Sequence, residues 1–244
     1  MKNSAIVIGK SRLAQEMLEL CRAGGLDASL SADAKGLSAS ASLIVDTSAG
    51  ESEKREIVKK LDARSSAALF LTSCLGFGAT RIASWTARPE RVVGFATFYP
   101  IQERKVIELA LGLKTEERAI AEAEDFFQKL GKETVRVKDA PGLVFPRILS
   151  LIINEAARSL DEGVAAAEEI DVAMRLGVNY PSGPLKWADR IGLDEVLAVL
   201  EGLQQETGEA RYRPAPLLKK MVSAGWLGEA SGRGFYEYER SSDR

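Results

Sequence analysis

Ser4-Ala-Ile-Val-Ile-Gly9-Lys-Ser-Arg-Leu-Ala14 is the stretch that decides the fold. Residues 4–8 are a short apolar run of the kind that forms a buried strand, and Gly9 ends it. Leu13, Met17, Leu18 and Cys21 then recur at helical spacing, and Gly24-Gly25 stops the helix. A buried strand that turns through a glycine into an amphipathic helix opens a βα unit, and the alternation continues along the chain. Strand character is weak at Asp27–Ser31 and strong at Ser42–Asp46 and Ala67–Leu71. Arg91–Phe95 and Lys105–Leu109 alternate as strands do, and Thr134–Val137 is the last such run. Helices are predicted over Glu51–Leu61 and Glu116–Leu130. Strands interleaved with helices predict a parallel sheet with helices on its faces.

After Pro141-Gly142 the character changes, and no strand-like run appears until Phe235. Leu149, Ile152, Ile153, Ala156 and Leu160 predict one long apolar helix over Ile148–Gly163. Shorter helices are predicted over Glu168–Leu176, Leu185–Ile191, Asp194–Gln205 and Pro216–Ala224. The chain therefore reads as an α/β sheet domain over residues 1–139 followed by an all-α domain over residues 140–244.

Composition excludes several classes of function. Lys and Arg number 33 against 35 Asp and Glu, a balance that predicts neither nucleic-acid binding nor a strongly charged surface. The chain contains no histidine, which removes Ser-His-Asp triads, Cys-His pairs and His-ligated zinc. Cys21 and Cys74 do not make a metal site; they read as buried thiols in a reducing cytoplasm. The N-terminal run is broken by Lys10 and Arg12 too soon for a signal peptide, and no apolar run approaches the ~18 residues that span a bilayer.

The turn Gly9-Lys-Ser-Arg-Leu-Ala14 has the layout of a dinucleotide-binding loop. Gly9 supplies the tight turn, Ser11 stands where a second glycine lets backbone approach the pyrophosphate, and Ala14 stands at the close helix–strand contact. A serine Cβ crowds that approach, yet the helix start still offers free N–H groups to an anion. Asp33, just beyond the second strand, is the candidate for the ribose hydroxyls. A βα turn that binds nothing is the competing reading of the same residues.

Larger motifs carry a resemblance. Pro181-Ser-Gly-Pro-Leu-Lys-Trp-Ala-Asp-Arg-Ile-Gly-Leu-Asp194, Tyr212-Arg-Pro-Ala-Pro-Leu-Leu-Lys219, Ala224-Gly-Trp-Leu-Gly228 and Gly232-Arg-Gly-Phe-Tyr-Glu-Tyr238 resemble the C-terminal domain of the 3-hydroxyacyl-CoA (3-hydroxybutyryl-CoA) dehydrogenases. The likeness is strong over 141–238, moderate over 42–110 and weak over 1–41. It implies a Rossmann-type coenzyme domain, NAD as cofactor, and a helical domain that forms a homodimer and walls the substrate cleft. Ser42-Leu-Ile-Val-Asp46 resembles the family strand of the type Asp-Leu-Val-Ile-Glu, and Asp46 is counted among the cofactor-binding candidates. Only Ala34–Ala41 precede that strand here, where the family has a long helical stretch that embraces coenzyme A.

The resemblance also implies a catalytic set of Ser, His, Glu and Asn. The serine pattern matches Leu71-Thr-Ser73-Cys-Leu75, so Ser73 is its counterpart. The histidine pattern matches Gly94-Phe-Ala-Thr-Phe-Tyr-Pro100, so Ala96 replaces the acid/base. Glu108 follows Ala96 by twelve positions, the family spacing. The asparagine pattern matches Pro141-Gly-Leu-Val-Phe-Pro-Arg147, so Pro146 replaces the amide. Hydride transfer from an alcohol needs a base within ~3 Å of the hydroxyl, and alanine cannot serve. Tyr99, with Lys105 nearby, and Glu108 itself are the candidate substitutes. Two readings follow from these residues. One is an NAD-linked dehydrogenase of a 3-hydroxyacyl-CoA or small hydroxy acid with altered chemistry. The other is a non-catalytic member that partners a catalytic homologue or binds a ligand. Acyl-CoA hydrolysis or lyase chemistry has no nucleophile pair to support it.

Overall fold

The computed structural model describes residues 4–33, 41–64 and 68–239; most of the Ala34–Ala41 stretch and Ala67 lie outside them. The chain divides into two compact units, Met1–Phe145 and Pro146–Arg244. The break falls a few residues after the turn at Pro141-Gly142.

Among the described residues the first unit has seven strands: β1 (Ser4–Ile8), β2 (Asp27–Ser31), β3 (Leu43–Asp46), β4 (Leu69–Ser73), β5 (Val92–Ala96), β6 (Val106–Leu111) and β7 (Glu133–Val137). Their order across the sheet is β2-β1-β3-β4-β5-β6-β7. All neighbours are parallel except β5 and β6, which are antiparallel. The sheet is mostly parallel, as the strand–helix alternation predicts, with one antiparallel pair. Only residues 97–105 connect the two strands, and a parallel crossover needs a dozen residues or more. β2 lies at the sheet edge, which explains its weak pattern: a single residue of the five, Ala28, is buried.

One sheet face is covered by α1 (Arg12–Ala23) and α4 (Glu117–Lys129). Leu13, Met17 and Leu18 of α1 and Ile120, Ala123 and Phe127 of α4 share a core with Val7, Leu71, Phe95 and Leu109. Each fully buried large side chain contributes about 1.5–3 kcal/mol relative to exposure, so this layer fixes the strand ends. The side chains that alternate with these, among them Asp46 and Thr72, meet α2 (Glu51–Arg64) through Lys54. α3 (Ala79–Ala83) also forms here, starting after Gly78. The chain runs from β1 to β2 on one side and then returns to β3 on the other, so the sheet has its switch point between β1 and β3. That crevice is where open α/β sheets take ligands.

The second unit contains α5 (Phe145–Asp161, beginning at the boundary), α6 (Ala167–Gly177), α7 (Pro184–Ile191), α8 (Leu193–Thr207) and α9 (Pro216–Ser223). α5 begins three residues before its predicted start. No strand forms at Phe235; isolated bridges join Gly228 to Arg233 and Arg233 to Glu237. Two carboxylates hold this unit together. Asp171 on α6 accepts the Leu185 and Lys186 N–H groups at the start of α7, 2.8 and 2.9 Å away, and the Tyr236 hydroxyl at 2.8 Å. Asp189 on α7 accepts the Phe235 and Tyr236 N–H groups, both at 2.9 Å, and the Tyr238 hydroxyl at 3.0 Å. Gly234 is glycine because a Cβ there would stand 2.0 Å from the Asp189 carboxylate. The Gly232–Tyr238 motif is thus a backbone clamp on a buried acid. Asp189→Ala leaves those donors unpaired and is expected to cost about 3 kcal/mol, measured by urea unfolding; a loss below about 0.5 kcal/mol would contradict this.

Candidate functional site

The β1–α1 turn has Gly9 at φ +147°. A Cβ on Gly9 would stand 2.1 Å from Thr47 Oγ1 and 3.1 Å from the Ala14 methyl. Glycine is therefore required by the protein's own packing across the β1/β3 crevice. Thr47 donates to the Ile8 carbonyl twice, through its N–H at 2.8 Å and its hydroxyl at 3.0 Å. Ala14 is buried where α1 meets this turn. Ser11 is the N-cap of α1, and its Oγ accepts the Ala14 N–H at 3.3 Å. The side chain thus turns back onto the helix start, a role the expectation of crowding did not include. The start of a helix favours an anion through its dipole and its outward N–H groups. A pyrophosphate fits these residues.

The acidic candidates separate. Asp33 follows β2 and is half-buried; its carbonyl accepts Lys60 Nζ at 3.0 Å. Asp46 is fully buried at the end of β3. Its carboxylate accepts Ser48 N–H at 2.9 Å, Ser48 Oγ at 2.5 Å, Lys54 Nζ at 2.5 Å and Thr72 Oγ1 at 2.8 Å. All four acceptor sites of a carboxylate are taken, so Asp46 holds the protein rather than a ligand. That replaces its expected direct contact with the cofactor. No sequence signal distinguishes the two roles, because the partner Lys54 sits within an otherwise charged helix.

Ala96 and Glu108 meet on the paired strands β5 and β6, whereas Ser73 at the end of β4 is not among the residues that line the recess beside them. Because these strands are antiparallel, Ala96 lies directly opposite Glu108. The spacing of twelve positions is a cross-strand pair, whose Cβ atoms lie about 4.5–5.5 Å apart. A recess of about 340 Å³ opens there, lined by Ala96, Thr97, Arg104, Lys105, Glu108 and Phe145 among others. The Glu108 carboxylate accepts the N–H groups of Val144 and Phe145, both at 2.7 Å. It thereby caps the start of α5, which explains the early start of that helix. Pro146 occupies its first turn, where a missing N–H costs nothing. Ser73 ends β4, and its buried Oγ has no hydrogen-bond partner among the described residues, a state that a ligand would relieve.

Tyr99 is not brought to this recess. It is half-buried against the α1/α4 core layer, with the Arg12 guanidinium 4.1 Å from its ring centre. Three residues from Ala96, it leaves the strand on the opposite face, so its expected service as a substitute base is corrected. Lys105 does line the recess, but Tyr99 is not there to pair with it. Cys21 and Cys74 are buried and unlinked; burial pushes the Cys21 thiol up to about 12 and raises Cys74 as well. Among the described residues no group of three His, Cys, Asp or Glu is placed to hold a metal. No described helix is long and apolar enough to cross a membrane.

Burial raises Glu108 above the ordinary carboxyl range, against the opposing pull of the Val144 and Phe145 N–H groups. A group raised in the folded state favours folding at low pH. That contribution is complete below the ordinary carboxyl value and is lost as pH rises through the folded one. Thermal melts of wild type and Glu108→Gln from about pH 4 upward should therefore show the wild-type advantage shrinking with pH. A difference that grows with pH would reverse the assignment.

Known proteins bear on this arrangement. Residues 26–140 match the family profile of the 3-hydroxyacyl-CoA dehydrogenase NAD binding domain, and residues 142–238 match that of the C-terminal domain. A probable 3-hydroxybutyryl-CoA dehydrogenase of Bacillus subtilis is 47% identical over 163 residues, 67% of this chain and 57% of that protein. The chain thus spans little more than half the length of that relative. The 3-hydroxybutyryl-CoA dehydrogenase of Bradyrhizobium diazoefficiens is 39% identical over 198 residues, 80% of this chain and 68% of that protein. In three dimensions the crystal structure of (S)-3-hydroxybutyryl-CoA dehydrogenase from Ralstonia eutropha matches with a TM-score of 0.82 at 29% identity, covering 98% of this chain and 100% of that one. With both domain profiles matched in order and a 39% identical relative covered over two thirds of its length, the chain belongs to the 3-hydroxyacyl-CoA dehydrogenase family.

Proposed function

We propose that this chain is an NAD-dependent oxidoreductase of the 3-hydroxyacyl-CoA type whose proton-transfer position has lost its side chain. The observation that carries this is the pair Ala96–Glu108: a buried carboxylate faces a methyl group across an open recess. The relatives' names supply the substrate class, and the turn at Gly9 supplies a place for the dinucleotide's pyrophosphate. NAD held there would supply the hydride acceptor or donor. Gly9, Ser11 and Ala14 shape its turn, and Asp33 stands after the strand that meets its ribose. Ser73 Oγ, buried and unpartnered, is the donor for the substrate oxygen. Glu108 is the carboxylate paired with the Ala96 position, in a recess that Glu103 also lines, and it takes the hydroxyl proton poorly because two backbone N–H groups hold its oxygens. Hydride transfer is accordingly slow relative to a family member with an imidazole, by about 10²–10⁴-fold.

A second reading, a non-catalytic subunit that assembles with itself or with an active homologue, is favoured by the same pair, because alanine at 96 offers neither acid nor base. Exposed apolar residues on α5 and α6, Ile148, Val172 and Leu176, offer a surface for a homodimer through the helical unit. Steady-state assay with NADH and a 3-oxoacyl-CoA tests the first reading. Slow turnover that doubles with enzyme concentration and disappears in Ser73→Ala supports it. Rates indistinguishable from buffer, together with a stable complex with an active homologue, favour the second.

A further inference from the structure

We propose that the buried Lys54–Asp46 ion pair is a positioning device for the dinucleotide turn, setting the shape of Gly9 before any ligand arrives; this rests on the reading of the chain as an NAD(H)-binding protein. Both side chains are at most 1% exposed. Removing two charges from water costs several kcal/mol per ion, and well-packed apolar residues usually do as well or better. The pair is therefore a poor device for stability, and its consequence lies in geometry. Asp46 is the last residue of β3, on the far side of the crevice from β2. Its four hydrogen bonds tie the chain at Ser48, α2 at Lys54 and β4 at Thr72. Lys54 Nζ also meets Thr72 Oγ1 at 3.1 Å, which closes the network.

Thr47 lies between these anchored residues, so its place is fixed from both sides. It makes two hydrogen bonds to the Ile8 carbonyl, and its Oγ1 fills the space where a Gly9 side chain would be. The β3–α2 turn is thus a rigid plate behind the β1–α1 turn. Lys54 and Asp46 touch no ligand in this arrangement. They act through Thr47 on the backbone of Gly9, and hence on where the first N–H groups of α1 point.

Lys54→Met strands the Asp46 charge and risks unfolding the unit. Asp46→Asn with Lys54→Met removes both charges while leaving an amide oxygen for Ser48 N–H and an amide NH₂ for Thr72. Thr47→Val interrogates the same turn without touching the charges. Each folded variant is titrated with NADH and with an acyl-CoA, and amide exchange is followed at Gly9 and Thr47. We expect the NADH Kd to rise about tenfold, exchange at both amides to accelerate, and acyl-CoA affinity to hold. Faster exchange with an NADH Kd within twofold of wild type would overturn the inference while leaving the NAD reading intact. Equal losses for both ligands would show a general destabilisation and overturn it too. Wild type that fails to bind NADH removes the NAD reading itself, and the inference with it.

Discussion

Ala96→His raises kcat/KM for the NADH-linked reduction of a 3-oxoacyl-CoA by about 10²–10⁴-fold. The imidazole enters at the end of β5, directly opposite Glu108 on the antiparallel neighbour. The recess beside Ala96 gives it room. Glu108 holds two backbone N–H groups, yet a carboxylate has about four acceptor sites, so it can still receive one ring N–H. That bond fixes the tautomer and turns the other nitrogen toward the substrate oxygen, with a ring whose pKa lies near neutrality. Glu108→Gln in the Ala96→His background should then remove most of the gain, because members of such a unit do not act additively. Pro146→Asn alone changes little, and joined to Ala96→His it adds to the gain. A histidine variant that folds, binds both ligands and turns over no faster than wild type would place the chemistry elsewhere.

Gly9→Ala should be the most damaging single methyl in the first unit. The residue sits at φ +147°, a conformation alanine rarely adopts, and the new Cβ meets Thr47 Oγ1 at 2.1 Å. Backbone strain contributes about 1–3 kcal/mol and overpacking a similar amount, so a loss of about 3 kcal/mol or more is expected. The turn must also move to relieve the contact, and NADH binding goes with it. Thr47→Ala in the same chain removes the hydroxyl that collides and should return part of the stability while leaving the strain. Chemical denaturation of the four proteins in this cycle measures the coupling. Additive losses would mean that Thr47 does not lie over Gly9.

The fold was legible wherever a segment carries its own pattern. α1 and β1 are read correctly because apolar spacing and Gly9 are local signals. The β5/β6 pairing was not, since direction depends on the shortness of the connection at 97–105 rather than on either strand's composition. The start of α5 was missed because its cap, Glu108, comes from another strand. At the site, the match of Ser73, Ala96 and Glu108 to a family pattern points to the ends of β4 and β5 and to β6. It could not say that twelve residues meant a facing pair. Tyr99 stays on the face where alternation along the strand places it, packed under Arg12, so nothing turns it toward Ala96 as a substitute base. Asp46 looked like a ligand contact because burial and partners are invisible in a string of letters.

The most direct measurement is a fluorescence titration of the purified protein with NADH, with an acyl-CoA added at the end. It asks whether the Gly9 crevice holds the coenzyme, independently of whether Ala96 permits turnover. The account predicts saturable binding at micromolar to sub-millimolar NADH, with a further change when the acyl-CoA is added. No binding at millimolar NADH would contradict it and would leave a family member that has given up its coenzyme.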